Sequence, residues 1–190
     1  NIYRGDIMKE ITEDIFYEYI KKYDKLLLDY AVISADDEYN SEISHKEAVI
    51  TAISAFNQRK RVGNRFNPPE FYVNESKMSC KKCSTENFFT VNPVEKYGNC
   101  MFVEESCYWN YSDAFLYYTP YRVPYTEKDF QKVNYVLFPE CYRKDLEIYI
   151  WNDNFSNYFD DGNDCMGAVM WSVYDKHMKR FIIIGSSMTD

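Results

Sequence analysis

The chain has 190 residues, with 30 acidic side chains against 22 basic ones and a formal charge of −8, a balance that disfavours nucleic acid because phosphate binding calls for a positive surface. At 46% hydrophobic and 18% aromatic, with six Gly and six Pro, the composition excludes disorder and low-complexity or collagen-like architectures. Apolar runs such as Phe181–Ile184 fall far short of the roughly 18 to 20 residues of a membrane-spanning helix, so one soluble α+β domain over 1–190 is expected, with a helical part about 6–62 and a sheet-rich part about 64–190.

In chain order, Ile7, Ile11, Ile15, Tyr19, Tyr23, Leu26, Leu27 and Tyr30 recur at spacings of three and four, which predicts a long first helix over 7–30. A polar stretch with Asp36, Asp37 and Glu38 interrupts the pattern, and Ser44 with Glu47 forms the signature of a capping box opening a second helix. Its buried stripe is Val49, Ala52, Ile53 and Phe56, its last turn holds Arg59, Lys60 and Arg61, and Gly63 ends it. After Pro68 and Pro69 the texture turns aromatic and β-branched, predicting strands near 71–75, 86–91 and 100–105. Thr126, with Asp129 three residues on, opens a third helix that buries Phe130, Val133 and Leu137 and stops at Pro139.

The C-terminal third alternates. Leu146, Ile148 and Ile150 interleave with Glu147, Tyr149 and Trp151, which predicts a half-exposed strand with the aliphatics inward. Residues 168–175 and 180–186 predict a hairpin with Asp175 and Arg180 paired across its mouth, and the unbroken Phe181–Ile184 run predicts a central strand buried on both faces. The expected fold is α+β, with N-terminal helices packed on one side of a mostly antiparallel sheet that ends in the C-terminal hairpin.

Several groupings can carry chemistry. Cys80 and Cys83 form a C-x-x-C pair that Cys100 and Cys107 would complete as a Cys₄ zinc site, although six residues rather than two separate the second pair. The alternative is reduced thiols in a cytoplasmic protein, which is the expectation here: no cofactor, with zinc as the one candidate. His45 and His177 are the only histidines, and they lie too far apart in the chain for the helical spacing of a H-E-x-x-H site. Cys165 among Asp160, Asp161 and Asp164 has its thiolate opposed by like charge. Phosphate-binding Gly loops and the nucleophile elbow are missing from the sequence. Localisation is expected to be cytoplasmic, with secretion left open by a chain that begins at Asn1 rather than Met.

The charge map is the most informative feature. Asp145, Glu147, Asp153, Asp160, Asp161, Asp164 and Asp175 lie in a segment without Lys or Arg, and Tyr149, Trp151, Phe155, Tyr158 and Phe159 lie among them. Acid steers a basic partner and aromatic rings anchor it. The leading expectation is therefore a non-enzymatic, immunity-like binding or inhibitory module that docks a basic protein through Glu147, Tyr149, Trp151, Asp160, Asp161 and Asp164. Two alternatives stand beside it. One is a carbohydrate hydrolase using Glu147 or the Asp160–Asp164 acids with Trp151 or Trp171 as a sugar platform; the other is a structural zinc protein built on Cys80 and Cys83.

Overall fold

The unbroken apolar run near the C-terminus is strand β5 (Arg180–Ser187), and its burial organises the rest of the molecule. In the computed structural model, which describes residues 8–35, 38–61, 69–92, 110–117, 125–163 and 168–187, β5 pairs on one side with β1 (Asp29–Ser34) and on the other with β4 (Ala168–Asp175). β3 (Leu146–Trp151) and β2 (Cys80–Cys83) complete a five-stranded sheet of order β1-β5-β4-β3-β2, antiparallel throughout. The expected class, hairpin and buried strand are present. The predicted 100–105 strand lies outside the described residues.

Strand parity sorts the side chains into two cores. Ala31, Ile33, Phe181, Ile183, Met170, Tyr174 and Trp151 face helix α2 (Ser41–Arg61), whose Ala48, Val49, Ala52, Ile53 and Phe56 are buried against them. Tyr30, Val32, Ile182, Ile184, Trp171, Val173 and Ile148 face the opposite way. There they meet Phe16 of α1 (Ile15–Ile20), Phe88 of α3 (Thr85–Phe89), Tyr111 and Phe115 of α4 (Tyr111–Tyr117), and Phe130, Val133 and Leu137 of α5 (Glu127–Leu137). Helices thus cover both faces of the sheet.

The N-terminal third departs most from the sequence pattern. Instead of one helix over 7–30, the Asp14 carboxylate accepts from the Phe16 N–H at 2.9 Å and starts a helix that ends at Ile20, with a 3-10 turn following. Residues 29–34 leave the helical pattern because β5 offers them a paired, doubly buried position, a tertiary gain that outweighs local periodicity. The outer edge of β1 is covered by residues 9–11, with Ile11 N–H on Val32 O at 2.8 Å and Ser34 N–H on Lys9 O at 2.9 Å.

Three smaller differences have local causes. Helix α2 begins three residues before Ser44, with the Ile43 N–H reaching Asn40 O at 3.0 Å. Residues 85–89 are helical rather than extended because Ser84 caps the Asn87 N–H at 3.1 Å, while around 71–75 only Val73 makes a bridge, to Ser156. Asp175 and Arg180 stand opposite each other at the mouth of the hairpin as expected, but the guanidinium turns instead to Asp14 and to the Leu137 carbonyl, at 2.9 Å for the latter, tying α1 and the end of α5 to β5. The Thr126–Asp129 capping box of α5 forms as expected.

Candidate functional site

The residues expected to form one exposed face are divided by the fold. Tyr149 and Trp151 project from β3 toward the α2 layer, where they retain 9% and 5% of their exposure, so this strand is covered on both sides rather than half exposed. Phe155, Tyr158 and Phe159 are buried in the same core. Asp160 and Asp161 are exposed at the start of α6 (Asp160–Asn163); Asp164, with Cys165, lies outside the described residues. Of the other acids in the segment, Asp175 is buried and Asp145 lies at the far end of β3, bonded to His177 at 2.9 Å.

Glu147 is held as an acceptor. Ser41 Oγ and Tyr149 Oη donate to it at 3.0 and 3.1 Å, Tyr39 donates as well, and the Lys82 ammonium stands 3.6 Å away. Burial pushes its carboxyl up, but these hydroxyls and the cation outweigh burial and keep it below the usual carboxylate range. Such a group is a poor general acid. With Trp151 and Trp171 at 5% and 1% exposure, neither indole presents a face to a sugar.

The C-x-x-C pair is a strand, not a turn. Residues three apart on a strand point to opposite faces: Cys80 packs into the α2-side core and Cys83 into the other, so the two thiols do not converge on one ion. Burial, with Glu42 beside it, pushes the Cys80 thiol up to about 12, and burial also raises Cys83. Cys80, Cys83 and Cys141 are free thiols, and among the described residues no three His, Cys, Asp or Glu side chains gather as metal ligands. Cys100 and Cys107 lie outside the described residues.

The most organised polar feature was not anticipated from the sequence: a hydrogen-bonded chain under α2, centred on the fully buried His45. Trp151 Nε1 donates to Ser172 Oγ at 2.8 Å, Ser172 Oγ meets His45 Nδ1 at 2.7 Å, His45 Nε2 meets Tyr39 Oη at 3.2 Å, and Tyr39 reaches Glu147. The carboxylate end fixes its direction, since a carboxylate only accepts. Tyr39 therefore gives its proton to Glu147 and accepts from His45 Nε2–H, while Ser172 gives its proton to His45 Nδ1. His45 is neutral: burial is the main cause that pushes it down to about 4, with Lys82 adding to the effect and Glu147 opposing it. The signal was present in the sequence, because His45 lies four residues before Val49 on the buried stripe of α2.

A shallow cleft of about 190 Å³ lies along the open part of β1, walled by Tyr17, Ile20, Tyr23 and Leu26, and a neighbour of about 170 Å³ shares its Asp29 and Arg59. Asp29 is exposed as a residue, yet its carboxyl is hemmed in by protein: burial raises it, and Tyr158 Oη, donating at 2.8 Å, with Arg59 and Lys60 partly offsets this. Arg59 is engaged by Glu10 and lies over the Tyr17 and Phe56 rings. The clefts are thus small and internally paired. Comparison with protein-family models gives no match, and comparison with curated proteins gives none either.

Proposed function

We propose that this chain is a non-enzymatic binding module that docks a basic protein, with its contact surface centred on Tyr72, Asp160 and Asp161 rather than on strand β3. The observation that carries the reading is Tyr72, a large aromatic left 63% exposed beside the acids. Its backbone is fixed in place: its N–H donates to Asn157 Oδ1 at 2.8 Å, Asn157 Nδ2 donates to Glu70 O at 3.1 Å, and Val73 bridges Ser156. Asp160 and Asp161 follow Asn157 within the next turn and are exposed. An aromatic ring on a fixed backbone supplies area to bury, and nearby carboxylates raise the encounter rate with a cationic surface.

The test begins with capture of partners from the source cell and identification by mass spectrometry, followed by association kinetics with the purified partner. Asp160→Asn with Asp161→Asn is expected to slow association and flatten its salt dependence. Tyr72→Ala is expected to raise the dissociation rate by tenfold or more, about 1.4 kcal/mol or above. Partners without a basic surface, or binding unchanged in both variants, would count against the proposal.

A further inference from the structure

The chain centred on His45 lies beside a strained piece of backbone. Ser41, the first residue of α2, has φ of 39°, in the left-handed region that a non-glycine residue occupies at a cost. Its hydroxyl meets Glu147 and Tyr149 Oη at 3.0 and 3.1 Å, so the strained residue is clamped by the same carboxylate that terminates the His45 chain. Tyr39 is clamped too, stacked on Tyr174 with ring centroids 3.9 Å apart.

We propose that the segment from Tyr39 to His45 is an acid-released latch: with His45 neutral the ordered chain holds the start of α2 on β3 and β4, and uptake of one proton at His45 breaks the chain and frees that segment. The argument is a count of donors. In the neutral chain every proton has one acceptor. Once His45 Nδ1 carries a proton it donates to Ser172, and the Ser172 hydroxyl proton loses Nδ1 as its acceptor in a fully buried position. The way to restore pairing is to move the imidazolium toward water, which takes the first turns of α2 with it.

The groups that face His45 set the balance. From β2 comes Lys82; from β3, Glu147 and Tyr149; from β4, Ser172 and Tyr174; from the preceding loop, Tyr39; Glu42 of α2 is hydrogen-bonded to Cys80 instead. β5 contributes only the ring of Phe181, 5.0 Å away. Glu147 and a hydrogen bond to the Ser172 backbone favour the proton and Lys82 opposes it, while desolvation under the helix opposes it most.

The experiment is amide exchange followed by NMR on the full chain from pH 7 to pH 4, corrected for intrinsic rates, with the histidine ring signals followed in the same samples. Opening of the 42–49 amides is expected to rise by roughly a hundredfold relative to those of β4 and β5 as His45 takes up its proton. In Glu147→Gln, which removes the negative end of the chain, opening should move to lower pH. Protection that falls equally in α2 and in β4–β5 would overturn the proposal. So would a His45 that titrates near 6.5 with no change in exchange, or an opening whose pH is the same in Glu147→Gln. The wild-type titration decides the matter even where the variant fails to fold.

Discussion

The two faces of the sheet are built on different principles. On the face covered by α1, α3, α4 and α5, aromatic rings pack against one another: Phe88 stacks on Tyr111 at 4.8 Å and meets Trp171 edge-on at 6.0 Å, and Tyr111 lies 5.2 Å from Phe130. Its polar contacts are few and local: the Tyr30 and Tyr111 hydroxyls meet at 2.9 Å, and Arg180 holds Asp14 and the Leu137 carbonyl at the margin. On the α2 face, apolar packing shares the space with a directional chain running from Trp151 through His45 to Glu147. The first face gains most of its stability from area and shape. The second depends also on the protonation state of one imidazole at its centre, and so carries a pH dependence of its own.

Removal of a ring from the aromatic face should produce the largest loss. Trp171→Ala is expected to cost about 3 to 5 kcal/mol, measured by urea unfolding, with little dependence on pH. The acid response of the other face comes next. His45 is pushed from 6.5 to about 4 in the folded chain, so the unfolded state binds the proton first. The stability this represents is complete above pH 6.5, is lost as pH falls toward 4, and changes no further below that. The loss should be about 3 kcal/mol, read as the difference between wild type and His45→Gln across the range, since carboxylates titrate in both.

A smaller effect is expected at Gly185, where an added Cβ would stand 2.5 Å from Tyr158 Oη and 3.1 Å from Met170 Cε. Gly185→Ala should displace Tyr158 from Asp29 and cost about 1 to 3 kcal/mol in the same unfolding assay. The smallest effect is reserved for Thr126→Ala, which removes one exposed cap from α5 and should cost about 1 kcal/mol.

What the sequence revealed follows from the range of the interactions involved. The Thr126–Asp129 box and the β4–β5 hairpin are local, and their residue types alone predict them. Strand β1 is not local: Leu26, Leu27 and Tyr30 continue the helical spacing of the residues before them, while Tyr30 to Ile33 also suit a doubly buried strand, and only pairing with β5 decides between the two. Phe88 and Phe89 resemble strand residues until the Ser84 cap is considered. The alternation in β3 correctly separated Tyr149 and Trp151 from Ile148, but alternation cannot say whether the second face is covered. The stripe of α2 held that information, because a helix with a buried row must find a surface to bury it on. His45 belongs to that row, and extending it by one turn would have placed the imidazole against the sheet.

The central claim, that the α2 face is organised by a neutral His45 whose Nδ1 only accepts, is tested most directly by the tautomer of that ring. A long-range ¹H–¹⁵N correlation spectrum at pH 7 should show His45 protonated at Nε2 and bare at Nδ1, and the pattern should persist well below pH 6.5, the ordinary value for histidine. A ring protonated at Nδ1, or an imidazolium at pH 7, would contradict the account.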